Sequence, residues 1–300
     1  METAQVLFIG RSTVDALYWL EKMPEENTKV FARQFRIAAG GPALNAAVTH
    51  ALLGGQTALV SAVGSGPWAA LVRGEMKDRG IRLLDLAADT AYETPLTAVL
   101  VDGANGNRTI VNPPLQAVEL PRLRAWERES QKLEGGAPAV VLADGFFLEE
   151  SLELMASLRE HGAALCLDGG SWKPGTEELA KLLTAAICSE RFRAPGAESG
   201  AEAAIAWFAE RGVPHIAVTR GGESILGWER GRRFAIEIAS IPAVDTLGAG
   251  DVLHGAFCFF FAQGLGFEVS LQRAAELATL SCQSLGTQAW AEEYEKKANL

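Results

Sequence analysis

The sequence is poor in the residues that build metal centres and covalent staples. It has four cysteines, Cys166, Cys188, Cys258 and Cys282, and no C-x-x-C pair. That spacing supports neither a zinc site nor a disulfide framework, and the thiols read as buried and reduced, as in the cytosol. The four histidines, His50, His161, His215 and His254, show no metal-ligand spacing and read as structural or surface residues. Positive charge is also short. Lys and Arg number 27 against 37 Asp and Glu, a formal net charge of −10. Binding along a phosphate backbone needs a basic face, so nucleic acid is not an expected partner. A single phosphorylated ligand is still allowed, because a few local cations and helix N-termini can hold one anion inside an acidic protein. The most apolar stretch, Ala256 to Ala262, is far too short to span a bilayer. Met1 to Gln5 carry no basic segment ahead of the first apolar run, unlike a signal peptide. The expected compartment is the cytoplasm, with no membrane partner. Internal repeats, low-complexity tracts and long linkers are missing as well.

What is present is an ordinary globular composition, 48% hydrophobic and 21% charged over 300 residues. That length allows one large α/β domain with a small appendage, or two modest domains. Short apolar runs at Val6–Ile9, Ala58–Val63, Ala139–Ala143, Ala164–Leu167 and His215–Thr219 suit buried strands. Helical patterns lie among them, at Ala43–Leu53 (closed by Gly54-Gly55), Trp68–Arg79, and near 149–161, 176–185 and 201–211. Strands alternating with helices predict a largely parallel sheet covered on both faces, with a ligand beyond the carboxyl ends of the strands.

Two early regions break the rhythm. Val14–Leu20 and Val30–Ile37 have mixed polarity, as do Thr97–Val101 and Thr109–Asn112, which flank the turn Asp102–Asn107. These pieces are expected to form a small antiparallel sheet that projects from the main domain as a lid.

The strongest chemical signal is Val244-Asp-Thr-Leu-Gly-Ala-Gly-Asp251, followed at once by the apolar run Val252–Phe260. The run reads as a buried helix, so Gly248, Ala249 and Gly250 form a turn of small residues at its N-terminus. Free N–H groups there can face an anion without steric hindrance. Asp251, in the first turn, can accept a proton from an attacking hydroxyl. A capped helix with no ligand is the bland alternative.

The whole string Asp-Thr-x-Gly-Ala-Gly-Asp resembles the C-terminal signature of the PfkB/ribokinase family. Gly40-Gly41-Pro42-Ala43-Leu44-Asn45 resembles that family's N-terminal glycine signature. Paired glycines let a sugar approach the backbone, and Asn45 offers a donor and an acceptor. The resemblance covers nearly the whole chain. It implies a ribokinase-like three-layer α/β/α core with a mainly parallel sheet, in a single domain over 1–300, with a small β-sheet lid from about 12–38 and 94–114. It also implies an ATP-dependent sugar kinase with Mg²⁺, possible use of a monovalent cation, and a homodimer formed through the lid. Asp15 is then expected to hold sugar hydroxyls, while Thr219, Gly221, Gly222 and Gly255 are expected near the nucleotide. Lys173 is a further candidate beside the ATP phosphates.

The pattern also departs from the family. Many members carry Asn-x-x-Glu near the Mg–phosphate site, where this chain has Ser189-Glu190-Arg191-Phe192. Glu190 is the remaining metal candidate, and a solvated surface role for it stands equally open. The serine resembles both the ketohexokinase and the bacterial sulfofructose kinase branches, and the strand Gly106-Asn-Arg-Thr-Ile-Val111 resembles the ketohexokinases. Gly10-x-x-x-x-Asp15 and Val141-Leu-Ala-Asp144 look more like the sulfofructose kinases. Those enzymes grip a sulfonate with a lid lysine and asparagine, matched here by Lys29 and Asn112, and with an arginine whose position here is Phe146. The resemblance to the ketohexokinase strand implies that Arg108, on the lid hairpin, lies near the substrate. Losing the guanidinium removes the best holder of a tetrahedral anion, so a neutral ketose such as fructose is the first expectation and an anionic derivative the second. A nucleoside acceptor, and a catalytically idle sugar- or nucleotide-binding protein, are the rival readings.

Overall fold

In the computed structural model the described residues are 4–88, 90–114, 137–291 and 294. In chain order the elements are β1 (Gln5–Ile9), β2 (Thr13–Leu20), β3 (Gln34–Gly40), α1 (Pro42–Leu52), β4 (Gln56–Ser61), α2 (Gly66–Asp78), β5 (Arg82–Asp85), β6 (Leu96–Asp102), β7 (Arg108–Val111), β8 (Val140–Ala143), α3 (Leu148–Glu160), β9 (Ala164–Gly169), α4 (Thr176–Ala180), β10 (Ala185–Ser189), α5 (Ala201–Glu210), β11 (His215–Arg220), β12 (Glu223–Glu229), β13 (Arg232–Ile236), α6 (Ala249–Ala262) and α7 (Phe267–Ser281). Nine strands form one sheet in the order β13-β12-β11-β10-β9-β8-β1-β4-β5. From β11 to β5 every neighbouring pair is parallel, while β12 and β13 close one edge antiparallel.

The apolar runs show no polar alternation because both faces of this sheet are covered. Val6 and Phe8 of β1 point into a core shared with α1, α2, α6 and α7. Leu7 and Ile9 point the other way, into a core shared with α3, α4 and α5. The result is the three-layer α/β/α arrangement. It leaves the carboxyl ends of β1, β8 and β9 and the N-termini of α1 and α6 at one rim. Among the described residues no helix is long and apolar enough to cross a membrane.

The second sheet has the order β3-β2-β6-β7. Leu17, Trp19, Val99 and Val101 are buried on its inner face and pack with Leu247 and Leu285 of the core domain. Its outer face leaves Tyr18, Phe35, Ile37 and Val111 exposed. The lid differs from the expected antiparallel sheet, because β2 and β6 pair parallel from Val14–Leu96 to Leu20–Asp102. After β3 the chain builds α1, β4, α2 and β5 in the core, then re-enters the lid running in the same direction as β2. Strand β3 also begins at Gln34. Val30 and Phe31, which look like strand residues by composition, lie in an exposed connection. The helix expected over 176–185 is one five-residue turn, α4.

Candidate active site

Asp251 stands in the first turn of α6, after Gly248 in the left-handed conformation (φ 70°) that lets the loop turn into the helix. Among the described residues the N–H groups of Gly250 and Asp251 have no acceptor, whereas Val252 N–H already donates to the Gly248 carbonyl at 2.8 Å. Two donors and the positive end of a fourteen-residue helix therefore face the rim together. Asp245 fixes the loop behind them. Its carboxylate accepts from Leu247 N–H and from Gly286 N–H, each at 2.9 Å.

Asn45 projects from α1 and donates its Nδ2 to Asp251 Oδ2 at 2.8 Å. Its Oδ1 is buried with no partner, a free acceptor beside the carboxylate. Helices α1 and α6 come this close because Gly255 lies between them. A Cβ there would sit 2.3 Å from the Ala46 carbonyl oxygen and 2.7 Å from Thr49 Cβ. Gly255, expected near the nucleotide, is accounted for by this packing. Burial pushes the Asp251 carboxyl up to about 7, with the negative charge of Asp168 adding to it; the Asn45 bond, His254 and Arg108 pull the other way.

Asp168 closes β9, and burial raises its carboxyl too, opposed first by His254. His254 lies one turn along α6. Its Nδ1 faces the Gly250 carbonyl at 2.7 Å and Asp168 Oδ2 at 3.5 Å, and its Nε2 faces the Ile187 carbonyl at 3.1 Å. Both ring nitrogens meet oxygen atoms. This histidine thus ties α6 to the ends of β9 and β10 beneath the helix turn.

Asp144, at the end of β8, joins the other side of the rim. Its carboxylate accepts N–H groups from Arg11 (2.8 Å), Ala43 (3.1 Å) and Phe146 (2.9 Å). It thereby ties β1, α1 and β8 together, and Gly10 makes room, since a Cβ there would lie 2.0 Å from its Oδ1. Asp15 faces Gly40, where a Cβ would lie 2.1 Å from its carboxylate, and Thr13 Oγ1 donates to it at 2.8 Å. Burial raises the Asp15 carboxyl, against Thr13 and Arg11. Gly41, with φ 102°, passes the Arg11 carbonyl too closely for any side chain. Asp15, Gly40, Gly41, Asn45 and Asp251 thus follow one another in an unbroken chain of contacts from the lid to the helix turn.

The remaining expected residues are more scattered. Arg108 Nη1 donates to Thr246 Oγ1 at 2.8 Å, and Thr246 donates to the Gly106 carbonyl at 3.1 Å, so the lid hairpin docks on the loop before α6. Asn112 Oδ1 accepts from Thr97 Oγ1 at 3.2 Å on the lid. Lys29 stands exposed between β2 and β3 and makes no hydrogen bond or ion pair with any described residue. Thr219 ends β11 and donates to the Cys188 carbonyl at 3.3 Å, while Gly221 (φ 63°) and Gly222 form the following hairpin with open space around both. Glu190 is exposed beyond β10. The place of the family's glutamate is filled by Phe192, 2% exposed and packed against Trp172, Trp207 and Phe208, so this position offers core packing and no metal ligand. Among the described residues no three histidine, cysteine or carboxylate groups converge to hold a metal.

Arg11, Asp144, Asp168 and His254 enter the site without having been expected there. Asp144 stood in the quoted Leu-Ala-Asp string, and a buried acid at a strand's carboxyl end is a usable signal. Arg11 left none, since one arginine after a strand looks like any surface residue.

Comparison with known proteins gives a consistent answer. The model of the family described as pfkB family carbohydrate kinase matches residues 3–293. The ketohexokinase of Mus musculus is 24% identical over 297 residues, covering 94% of this chain and 97% of that protein. The deoxyribokinase of Salmonella typhi is 23% identical over 295 residues, covering 94% of each. Among solved structures, the ribokinase of Arabidopsis thaliana, complexed with ribose and ATP, superposes with a TM-score of 0.74 at 21% identity and covers all of both chains.

Proposed function

The chain belongs to the pfkB family of carbohydrate kinases, and from that premise we propose that it transfers the γ-phosphoryl group of ATP to a hydroxyl of a sugar, a ketose or a ketose derivative being the first class to test. The observation that carries this reading is the Asn45–Asp251 pair at 2.8 Å beside two unpaired N–H groups at the start of α6. Asp251 takes the proton of the attacking hydroxyl. A carboxyl held near 7 is a base matched to neutral pH, and Asn45 keeps its oxygen aimed. The free Asn45 Oδ1, Asp15 and the glycine-lined path at Gly40 and Gly41 orient the sugar. The N–H groups of Gly250 and Asp251 meet the charge that develops on the transferring phosphoryl group. The lid, latched by Arg108 on Thr246, keeps water from the reacting atoms. The open hairpin at Gly221 and Gly222, on the same rim, suits the nucleotide.

The donor set fits a magnesium ion carried in on the nucleotide phosphates with few protein ligands, Glu190 being the exposed carboxylate offered at that end. Such an ion, when bound, neutralises charge on the phosphates. The outer lid face, with Tyr18, Phe35, Ile37 and Val111 exposed, supports a homodimer in which a second copy covers it.

The test is ADP release from ATP and Mg²⁺ with a panel of ketoses, aldopentoses and nucleosides. Release that depends on one acceptor class supports the reading. A protein that binds sugars yet releases no ADP with any of them is an idle binding protein, and the reading is wrong.

A further inference from the structure

Arg11 follows β1 directly, with its main-chain N–H held by Asp144. Its side chain is 8% exposed. Among the described residues its guanidinium has no carboxylate within ion-pair distance and no hydrogen-bond acceptor. Its guanidinium lies near the Phe146 ring, whose centroid is 5.2 Å from Arg11 Cζ. Lys173 Nζ lies 5.0 Å from the same centroid and donates to Ser171 Oγ.

A guanidinium carries five donors and is costly to bury unpaired. A flat aromatic ring beneath it holds its plane and satisfies none of those donors. The position is informative. Arg11 sits beside Gly41, where a Cβ would lie 2.4 Å from the Arg11 carbonyl oxygen, and its charge opposes the rise of the Asp15 carboxyl and of the Tyr92 hydroxyl. Arg11 therefore lies along the sugar path on the side of Asp15 and Gly41. The ring at Phe146, where an anion-holding arginine is lost from the sequence pattern, is the surface on which this other arginine lies.

We propose that Arg11, with Lys173 across the Phe146 ring, is the subsite for an oxyanion on the acceptor, so that the substrate is a sugar carrying a carboxylate or phosphate at its far end. A carboxylate matches the single planar fork best, with two parallel N–H···O bonds. This rests on the kinase reading and narrows its substrate.

The test is titration calorimetry of the full chain with fructose, 2-ketogluconate and fructose 6-phosphate, for wild type, Arg11→Gln and Arg11→Lys. At least one of the anionic sugars binds wild type at least about tenfold tighter than fructose. Arg11→Gln loses about 10- to 100-fold for that sugar and less than about 3-fold for fructose. Arg11→Lys keeps part of the preference. Which anion wins separates carboxylate from phosphate. A wild type that binds neither anionic sugar, or prefers fructose, overturns the proposal. So does an Arg11→Gln protein that weakens all three sugars alike, the mark of a packing role, or one that changes none of them. If Arg11→Gln does not fold, wild type alone decides: its affinity for the anionic sugar falls with added salt while that for fructose holds, and equal salt responses overturn the subsite. ADP assays on the same samples keep the two readings apart. Tight anionic binding without ADP release sinks the kinase reading alone, and ADP release that prefers fructose to both anionic sugars sinks the subsite alone.

Discussion

Replacing Asp251 with asparagine keeps the shape of the side chain and its acceptance of the Asn45 hydrogen bond, through the amide oxygen. It removes the base. General base catalysis contributes about 10²- to 10⁴-fold, so kcat falls by that factor while ATP affinity stays within about twofold. The same change has a second, independent consequence. Burial holds the Asp251 carboxyl at about 7 against an ordinary 3.8. A carboxyl raised on folding contributes stability that is complete below 3.8 and is lost as pH rises through about 7. At about 1.36 kcal/mol per pH unit that loss is at most about 4 kcal/mol, and the group's residual exposure to the cleft reduces it to about 2 kcal/mol. Asparagine never ionises and escapes the loss. Urea unfolding should therefore show the variant gaining on wild type by roughly 1–2 kcal/mol between about pH 5 and about pH 8. Steady-state ADP release supplies kcat. A variant that keeps more than about a tenth of wild-type kcat refutes the base assignment. A stability gap that does not widen with pH refutes the claim that this carboxylate is held at a cost.

The remaining expectations are briefer. In wild type, kcat/KM should climb about tenfold per pH unit below about 7 and level above it, as Asp251 loses its proton. Arg108→Ala removes a charge that pulls Asp251 down, so the rising limb should move to higher pH, and an unmoved limb counts against the contact. Gly255→Ala places a methyl group 2.3 Å from the Ala46 carbonyl oxygen and should cost about 1–3 kcal/mol by thermal or urea unfolding, with kcat reduced as α1 and α6 part. An unchanged melting temperature would show that the helix seam is looser than described. Phe35→Glu together with Val111→Lys should convert a dimer near twice 31.9 kDa to a monomer in light scattering, and a wild-type monomer at working concentration ends the lid-dimer proposal.

The sequence by itself determined the layered core and brought out the residues of the proposed reacting end. Continuous apolar runs alternating with 3.6-period patterns admit few arrangements besides a parallel sheet covered on both faces. The string from Asp245 to Asp251 and the pair Gly40-Gly41 act through backbone conformation, which lies within reach of local sequence. Asn45 was legible for the same reason, three residues into a helix whose start is marked by Pro42. The lid was legible as strands and not as a pairing, because the parallel contact of β2 with β6 depends on the path of the 55 residues between β3 and β6. The antiparallel strands β12 and β13 carry charged residues among their apolar ones and likewise offer little local signal. Only the tertiary structure assembled the charges. Asp168 and His254 are 86 residues apart in sequence, and the carboxylate of Asp144 reaches the N–H of Arg11 across 133. Whether a charge is paired, buried or free is a property of the neighbours that folding brings to it. The motif therefore named the proposed base, while the surroundings that hold Asp251 near 7 and the guanidinium of Arg11 over Phe146 emerged only from packing.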